Sequence, residues 1–451
     1  MKKSFFGLPI LTFAFFIFSS CSIQHQIAKS AAHLVLKDSS LTTAHVGISI
    51  YEPATNKYWY NYQGDHYFVP ASNTKIPTCY AAMKYLGESL TGIISAENDT
   101  AIFILPTADP TLLHPDFKKQ PVVDFLTATK KKIYITDSHW KEEALGSGWS
   151  WNDYNEPYMT ERSPMPIYGN LIKWVQENEN GRFESAIIYS IPEVSWEVNF
   201  DTTKSKTFSV VRQISSNVYK ISESQEKKKE VEVPFATDGI MAAIQLLSDT
   251  IHRAIGLLSP GAARKIFFTN SHAALQINAI HSQPTDSLLK PMMHRSDNFF
   301  AEQSLLMVSN ELLGVMNDEK TIDTLLKTDF KDLPQKPRWV DGSGLSRYNL
   351  FSPKDFVFIF NKMKNDFGMD RIKNILPTGN EGTLSNYYKS ENGYIFAKTG
   401  TLSGVVSLSG FLYTKKNKLL IFSILVNNHN SSATAIRRAV EKFVENLYHI
   451  Y

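Results

Sequence analysis

The sequence predicts an α/β protein of the α+β kind: an antiparallel sheet and a helical subdomain, with a mainly β insertion. Three observations predict it. Strong strand patterns stand at both ends of the chain, helical periodicity dominates between them, and a long stretch interrupts the helical part. The length of 451 residues allows two or three domains, and an apolar fraction of 43% with 20% charged residues is ordinary for a globular protein.

His45–Tyr51 and Lys57–Tyr62 flank the turn Pro53-Ala54-Thr55-Asn56 and read as a hairpin. A helix follows. Ile76, Cys79, Tyr80, Met83 and Leu86 recur at helical spacing, Pro70 and Ser72 mark its start with Ser72 a good N-cap, and Gly87 marks its stop. Pro77 is tolerable because it lies near the start, where few intrahelical bonds are lost. Residues 97–235 read as an insertion. It opens on the apolar strand Ala101–Leu105, contains the aromatic stretch Trp149–Tyr158, and ends in the charged run 225–230. Trp149, Trp151 and Tyr154 are open to two readings, a glycan-stacking surface or plain core. From Ile240 to Leu258 the helical pattern returns, which places 236–451 with 41–96 in one discontinuous domain. Tyr394–Ala397 leads a strand into Lys398-Thr399-Gly400. Val405–Tyr413 and Leu419–Asn427 form a second hairpin, and Ile436, Val440, Phe443, Val444 and Leu447 line one side of a C-terminal helix.

The N-terminus reads as an export signal, residues 1–20. Lys2 and Lys3 precede an apolar run from Phe5 to Phe18, too short for a comfortable membrane span. Phe18-Ser19-Ser20-Cys21 resembles a lipoprotein cleavage site, with Cys21 as the lipidated residue and 21–40 as a tether. Cleavage by the ordinary signal peptidase is the alternative. Ser22, by resemblance to enterobacterial sorting, favours the outer membrane. The expected location is therefore the periplasm, with a lipid anchor in the membrane. Cys79 is the other cysteine; it falls on the buried side of its helix, so no disulfide with Cys21 is expected.

Net charge is +3 and includes the leader lysines, so nothing points to nucleic acid. Lys227-Lys228-Lys229 sits between Glu226 and Glu230 and reads as a solvated face. The 12 histidines show no metal-ligand spacing, and neither a nucleotide fingerprint nor an internal repeat is present, so no cofactor or metal is expected.

The chemistry lies in three short motifs: Ser72-Asn73-Thr74-Lys75, Ser296-Asp297-Asn298 and Lys398-Thr399-Gly400. Singly they are weak. Ser-x-x-Lys recurs at Ser138/Lys141, Ser224/Lys227 and Ser287/Lys290, and Ser-x-Asn at Ser215/Asn217 and Ser390/Asn392. Together, in this order, they carry the signature of penicillin-binding proteins and class A β-lactamases. A serine hydroxyl needs a base. A lysine serves only if its pKa is lowered by desolvation or by other cations. On a helix, residues i and i+3 share a face, so Lys75 can reach Ser72. A helix start also aims backbone N–H groups at a reacting carbonyl oxygen. Gly400 lets the strand approach a ligand closely.

The chain resembles the D-alanyl-D-alanine carboxypeptidase/endopeptidase family of low-molecular-mass penicillin-binding proteins, peptidase family S13. The resemblance is carried by Phe68-Val69-Pro70-Ala71-Ser72-Asn73-Thr74-Lys75, Met292-Met293-His294-Arg295-Ser296-Asp297-Asn298, Asp341-Gly342-Ser343-Gly344-Leu345-Ser346-Arg347, Leu376-Pro377 and Gly382-Thr383-Leu384. It runs over roughly residues 40 to 445. Ala108-Asp109-Pro110 departs from the family's Gly-Asp-Pro. The resemblance implies a serine β-lactamase/DD-peptidase-like (penicillin-binding) fold with its insertion away from the catalytic groove. It implies Ser72 as the acylated nucleophile, Lys75 as base, Ser296 as proton relay to the leaving amine, and Asn298 as the group that orients Lys75 and binds the substrate amide. It gives Lys398 two tasks, lowering the pKa of Lys75 and binding, with Thr399, the substrate carboxylate. Gly400 and Thr401 complete the substrate-binding strand, and the N–H groups of Ser72 and Thr401 form the oxyanion hole. The implied partners are peptidoglycan stem peptides and β-lactam antibiotics. A β-lactamase or esterase and a non-catalytic wall-binding module remain open, although no deacylating glutamate can be placed in the sequence.

Overall fold

The structure is a computed structural model that describes residues 23–178, 186–268 and 275–450. The export signal and Cys21 lie outside the described residues. Helix α1 (residues 23–31) continues into a π-helical turn, Ala32–Leu36. Ile27, Ala31 and Val35 are fully buried in one core with Val440, Phe443 and Leu447. The segment expected to be a tether over 21–40 is thus folded for most of its length. Its apolar residues at i, i+4 and i+8 make one helical stripe, overlooked beside the export signal. Ile27→Ala should lower the unfolding free energy by about 2–5 kcal/mol, as a buried large-to-small change does. A tether residue would leave a urea titration unchanged.

The hairpin β1 (His45–Glu52) and β2 (Lys57–Tyr62) follows, then helix α2 (Lys75–Tyr85). Next comes the insertion: β3 (Ser89–Glu97), β4 (Ala101–Pro106), α3 (Pro121–Ala128), β5 (Lys132–Ile135), β6 (Leu171–Glu177) and β7 (Ile187–Ile191). It goes on through β8 (Val198–Ser205), β9 (Ser209–Arg212), β10 (Tyr219–Ser224), β11 (Lys228–Pro234), α4 (Met241–Ile251), β12 (Ile255–Leu257), α5 (Pro260–Phe267) and β13 (Gln276–Pro284). These strands make one five-stranded sheet, β12-β5-β4-β3-β13, and two three-stranded ones, β8-β10-β9 and β11-β6-β7. Ile93, Ile104, Leu126, Ile172, Tyr219, Phe235 and Leu247 share their core. The unit therefore extends past the expected 97–235 at both ends. β3 belongs to it because β13 returns antiparallel beside it, Ala279 facing Ile94. Helix α4 packs in this core and not in the catalytic one. Periodicity showed that α4 is a helix but not which core takes its apolar face.

The chain then enters α6 (Thr285–His294), α7 (Asn298–Leu313), α8 (Asp318–Lys327), α9 (Pro353–Phe367) and α10 (Met369–Ile375). It closes with β14 (Ile395–Leu402), β15 (Val405–Tyr413), β16 (Leu419–Asn427) and α11 (Ala433–Ile450). The sheet order is β14-β15-β16-β1-β2, so both chain ends build one antiparallel sheet, with His45 paired to Asn427 and Tyr51 to Ile421. β16 is buried along nearly its whole length because helices cover both faces. Ile421 and Leu425 point to the core of α2, α7 and α9, while Phe422, Ile424 and Val426 point to that of α11 and α1. β14 is an edge strand, and its motif residues lie beside the start of α2.

Candidate active site

Ser72 does not cap the helix as expected. It sits inside a 3-10 turn, Ala71–Thr74, whose N-cap is Pro70, and α2 begins at Lys75. The turn is held from the sheet side. Asn73 Nδ2 donates to Ser409 Oγ (2.7 Å), which donates to Ser423 Oγ (2.8 Å). Pro70 O accepts from Ser407 Oγ at 2.7 Å. A Cβ on Gly400 would stand 2.9 Å from Ser72 N and 2.8 Å from Pro70 O, so only glycine lets β14 pass against the serine turn.

Lys75 is completely buried. Its Nζ lies 2.6 Å from Asn298 Oδ1, 2.8 Å from Ser343 O and 3.1 Å from Ser72 Oγ. Two of these neighbours, the amide oxygen and the carbonyl, can only accept. They take the two hydrogens of a neutral amine, which leaves its lone pair for the Ser72 hydroxyl proton. Burial pushes the Lys75 ammonium down to about 8, against the opposing pull of Asp341, Glu302 and Asp297.

Asn298 is the first residue of α7, which Asp297 caps by accepting from Phe300 N–H at 3.0 Å. Its Nδ2 donates to Tyr158 O (2.9 Å), a residue of the insertion, and keeps a second hydrogen free for a ligand. Ser296 takes a left-handed backbone, φ +63°, which turns its hydroxyl inward. There Ser296 Oγ accepts from Lys398 Nζ at 2.8 Å, and Thr399 O accepts from the same amine at 2.8 Å. Burial drives Lys398 well below the usual lysine range, and the charges of Lys75 and Arg437 add to this. Burial is the leading cause of the lowered proton affinity at both lysines, and the two amines disfavour charge on each other.

The structure brings Ser72, Lys75, Ser296, Asn298, Lys398, Thr399, Gly400 and Thr401 around one site. Four further groups there escaped the sequence reading. The Ser343 carbonyl and the Tyr158 carbonyl are backbone atoms and leave no trace in residue type. Glu302 accepts from Ser343 N–H at 2.7 Å, and Arg437, on α11, donates to Thr401 Oγ1 at 2.5 Å. An acidic residue buried in the apolar run Asn298–Leu313 was the available signal for Glu302. The aromatic stretch divides its work. Trp149 Nε1 donates to Asp341 Oδ2 (3.1 Å), Tyr154 Oη donates to Arg212 O (2.8 Å), and Trp151 stands 72% exposed. The insertion is not remote from the groove as expected, because Tyr158 forms part of its wall. Ala108, where a glycine was expected, holds φ +65°, a conformation glycine adopts without strain. A groove of about 600 Å³ opens beside Ser296 and Asn298, lined also by Tyr158, Arg295 and Lys173.

The sequence profile of the D-Ala-D-Ala carboxypeptidase 3 (S13) family matches residues 28–447. The chain is 24% identical over 457 residues to a D-alanyl-D-alanine carboxypeptidase of an Actinomadura species, covering 88% of this chain and 80% of the relative. It is 23% identical over 436 residues to the D-alanyl-D-alanine carboxypeptidase DacB of Haemophilus influenzae, covering 86% and 87%. Penicillin binding protein 4 (dacB) of Haemophilus influenzae shares the fold with a TM-score of 0.72 at 19% identity, over 94% of this chain and 99% of that one. With nearly the whole chain matched and the three motifs gathered at one buried lysine, the chain belongs to the D-Ala-D-Ala carboxypeptidase 3 (S13) family.

Proposed function

We propose that the chain is a serine-type D-Ala-D-Ala carboxypeptidase, with DD-endopeptidase activity on cross-links as the accompanying reaction. The observation that carries this reading is the fully buried Lys75, whose Nζ is held by Asn298 Oδ1 and Ser343 O within 3.1 Å of Ser72 Oγ. Ser72 attacks the carbonyl of the penultimate D-Ala while its proton passes to Lys75. The N–H groups of Ser72 and Thr401 receive the oxyanion. Ser296 relays the proton to the leaving amine of D-Ala, and water then releases the peptide from the acyl-enzyme. Lys398, Thr399 and Arg437 surround the place for the terminal carboxylate.

Among the described residues, no carboxylate hydrogen-bonds Ser72, Lys75, Ser296 or Lys398. The class A β-lactamase route needs a carboxylate that activates a water, so the lifetime of the acyl-enzyme separates the two readings. Purified protein treated with fluorescent penicillin should hold its label for many turnover times and release D-Ala from a pentapeptide. Rapid loss of label would instead identify a β-lactamase, and absence of label a wall-binding module.

The reading extends to location. Lipidation at Cys21, with export to the periplasm, rests on the leader pattern, and no described helix is long and apolar enough to cross a membrane. Cys21→Ala should move the protein from the membrane fraction to the soluble one. A wild-type chain already soluble after fractionation would refute the anchor. Outer-membrane placement rests on Ser22 alone, and sucrose-gradient separation of the two membranes tests it.

A further inference from the structure

Of the block Asp341-Gly342-Ser343-Gly344-Leu345-Ser346-Arg347, the Ser343 carbonyl alone has a task in the steps above, at the catalytic lysine. Asp341 is completely buried. Its Oδ1 accepts from Gly344 N–H (2.8 Å) and Asn349 Nδ2 (2.7 Å). Its Oδ2 accepts from Ser346 N–H (2.7 Å) and Trp149 Nε1 (3.1 Å). The Gly344 N–H and the Ser343 C=O are the two ends of one peptide group, and that carbonyl accepts from Lys75 Nζ at 2.8 Å. A carboxylate at one end of a peptide dipole and an amine at the other polarise it in the same sense. Gly344 makes the placement possible. Its φ is +87°, and a Cβ there would stand 1.9 Å from Ala71 O.

We propose that Asp341 is a positioning residue for Lys75. It aims and polarises the Ser343–Gly344 peptide toward the amine and supplies the counter-charge when that amine takes the Ser72 proton, with Trp149 of the insertion completing its hydrogen bonds. The proposal rests on Lys75 being the base. The step balances. The Oγ–H bond of Ser72 breaks as Oγ bonds the carbonyl carbon, whose C=O π pair moves onto oxygen, and Nζ gains the proton. The oxyanion then re-forms C=O as the C–N bond breaks, and the leaving nitrogen takes its proton from the new ammonium through Ser296.

The charges that face Lys75 come from three directions. Helix α7 presents Asp297 and Glu302, the 341–349 loop presents Asp341, and β14 presents Lys398. Asp341 is the foremost of the groups that hold the Lys75 proton on. Burial pushes both Asp341 and Glu302 up. Four donors then pull Asp341 back toward the ionised form. Glu302 has the Ser343 N–H and, at 3.7 Å, an Arg162 guanidinium that also serves Glu142 and Asp318. Asp341 is therefore the better-solvated carboxylate of the two.

The test is the rate of acylation by fluorescent penicillin as a function of pH, on the full chain. In the wild type the rate falls on the acid side as Lys75 is protonated. Asp341→Asn removes the counter-charge, so the lysine binds its proton less tightly. The acid limb should move to lower pH, and the plateau should fall by about tenfold, a part of the roughly 10²–10⁴ that general-base assistance supplies. Trp149→Phe keeps the ring and removes one donor. It should move the limb the same way with a loss of about threefold, the size of one neutral hydrogen bond. If Asp341→Asn fails to fold, Trp149→Phe decides. A limb that stays at the wild-type pH in the folded variant overturns the proposal, whatever happens to the plateau, because loosened packing alone would lower the rate without moving the limb. Ser72→Ala run in parallel keeps the two questions apart, since label on that variant would remove the lysine-base reading itself.

Discussion

Ser72→Ala will carry no penicilloyl mass, and Lys75→Ala will acylate about 10³-fold more slowly than the wild type or worse. The serine variant loses the hydroxyl that, alone among those of the described residues, hydrogen-bonds the buried lysine. The lysine variant keeps the hydroxyl but loses its base, and general-base assistance is worth about 10²–10⁴. It also leaves Ser343 O and Asn298 Oδ1 without their donor in a dry site, which adds the cost of stranded acceptors. Intact-mass spectrometry decides the first and stopped-flow labelling the second. The wild-type pH profile should show the same group. The free amine is the working form, and burial holds its proton affinity near 8. The acylation rate should therefore rise through that region and fall about tenfold per pH unit well below it. An adduct on Ser72→Ala, or a Lys75→Ala rate within tenfold of wild type, would move the nucleophile or base elsewhere.

Lys398→Ala should cut D-Ala release from a free-acid pentapeptide by about two orders of magnitude, as loss of a single preorganised electrostatic group does. The proposed cause is carboxylate recognition. A desolvated carboxylate needs a cation and donors, and Lys398, Thr399 and Arg437 lie together at the edge strand. Burial holds Lys398 well below the usual lysine range. An arriving carboxylate reverses that balance and favours the ammonium. Binding of the acid should therefore draw a proton onto the site, while binding of an amidated peptide should not. Thr399→Ala removes one neutral hydrogen bond of about 1 kcal/mol and should do less. Steady-state kinetics on acid and amide peptides separate the possibilities. Equal fractional losses for Lys398→Ala on both would mean that it serves the proton chain through Ser296 alone.

Features that depend on short range were legible in the sequence. Both hairpins show runs of strand-forming residues around polar turns, and the structure places β15 and β16 at Val405–Tyr413 and Leu419–Asn427, the stretches the pattern marks. Ser72, Lys75, Ser296, Asn298 and Lys398 were legible because acyl transfer restricts residue type and spacing. What escaped depends on distant partners. β13 pairs with β3 across the whole insertion, and no local pattern announces that. Helix α4 has an apolar face that suits either core. The Ser343 and Tyr158 carbonyls act through backbone, which any residue supplies. Ser72 was expected as an N-cap because serine is a good one. The strand β14, packed against the turn at Gly400, instead favours a tighter 3-10 start.

The docked α1 changes what an anchor at Cys21 would permit. A free tether over 21–40 would let the enzyme range on the order of 65 Å from its lipid, at roughly 3.3 Å per extended residue. With helix from residue 23 onward packed beneath α11, only Cys21 and Ser22 separate the lipid from the folded body, a reach of about 7 Å by the same measure. The sheet face that carries α11 and α1 would then lie against the membrane, and the face that carries α2 and Ser72 would look away from it. So anchored, the enzyme would not patrol the wall on a leash but would serve, as a fixed station, the glycan layer that lies about one protein diameter from the lipid surface.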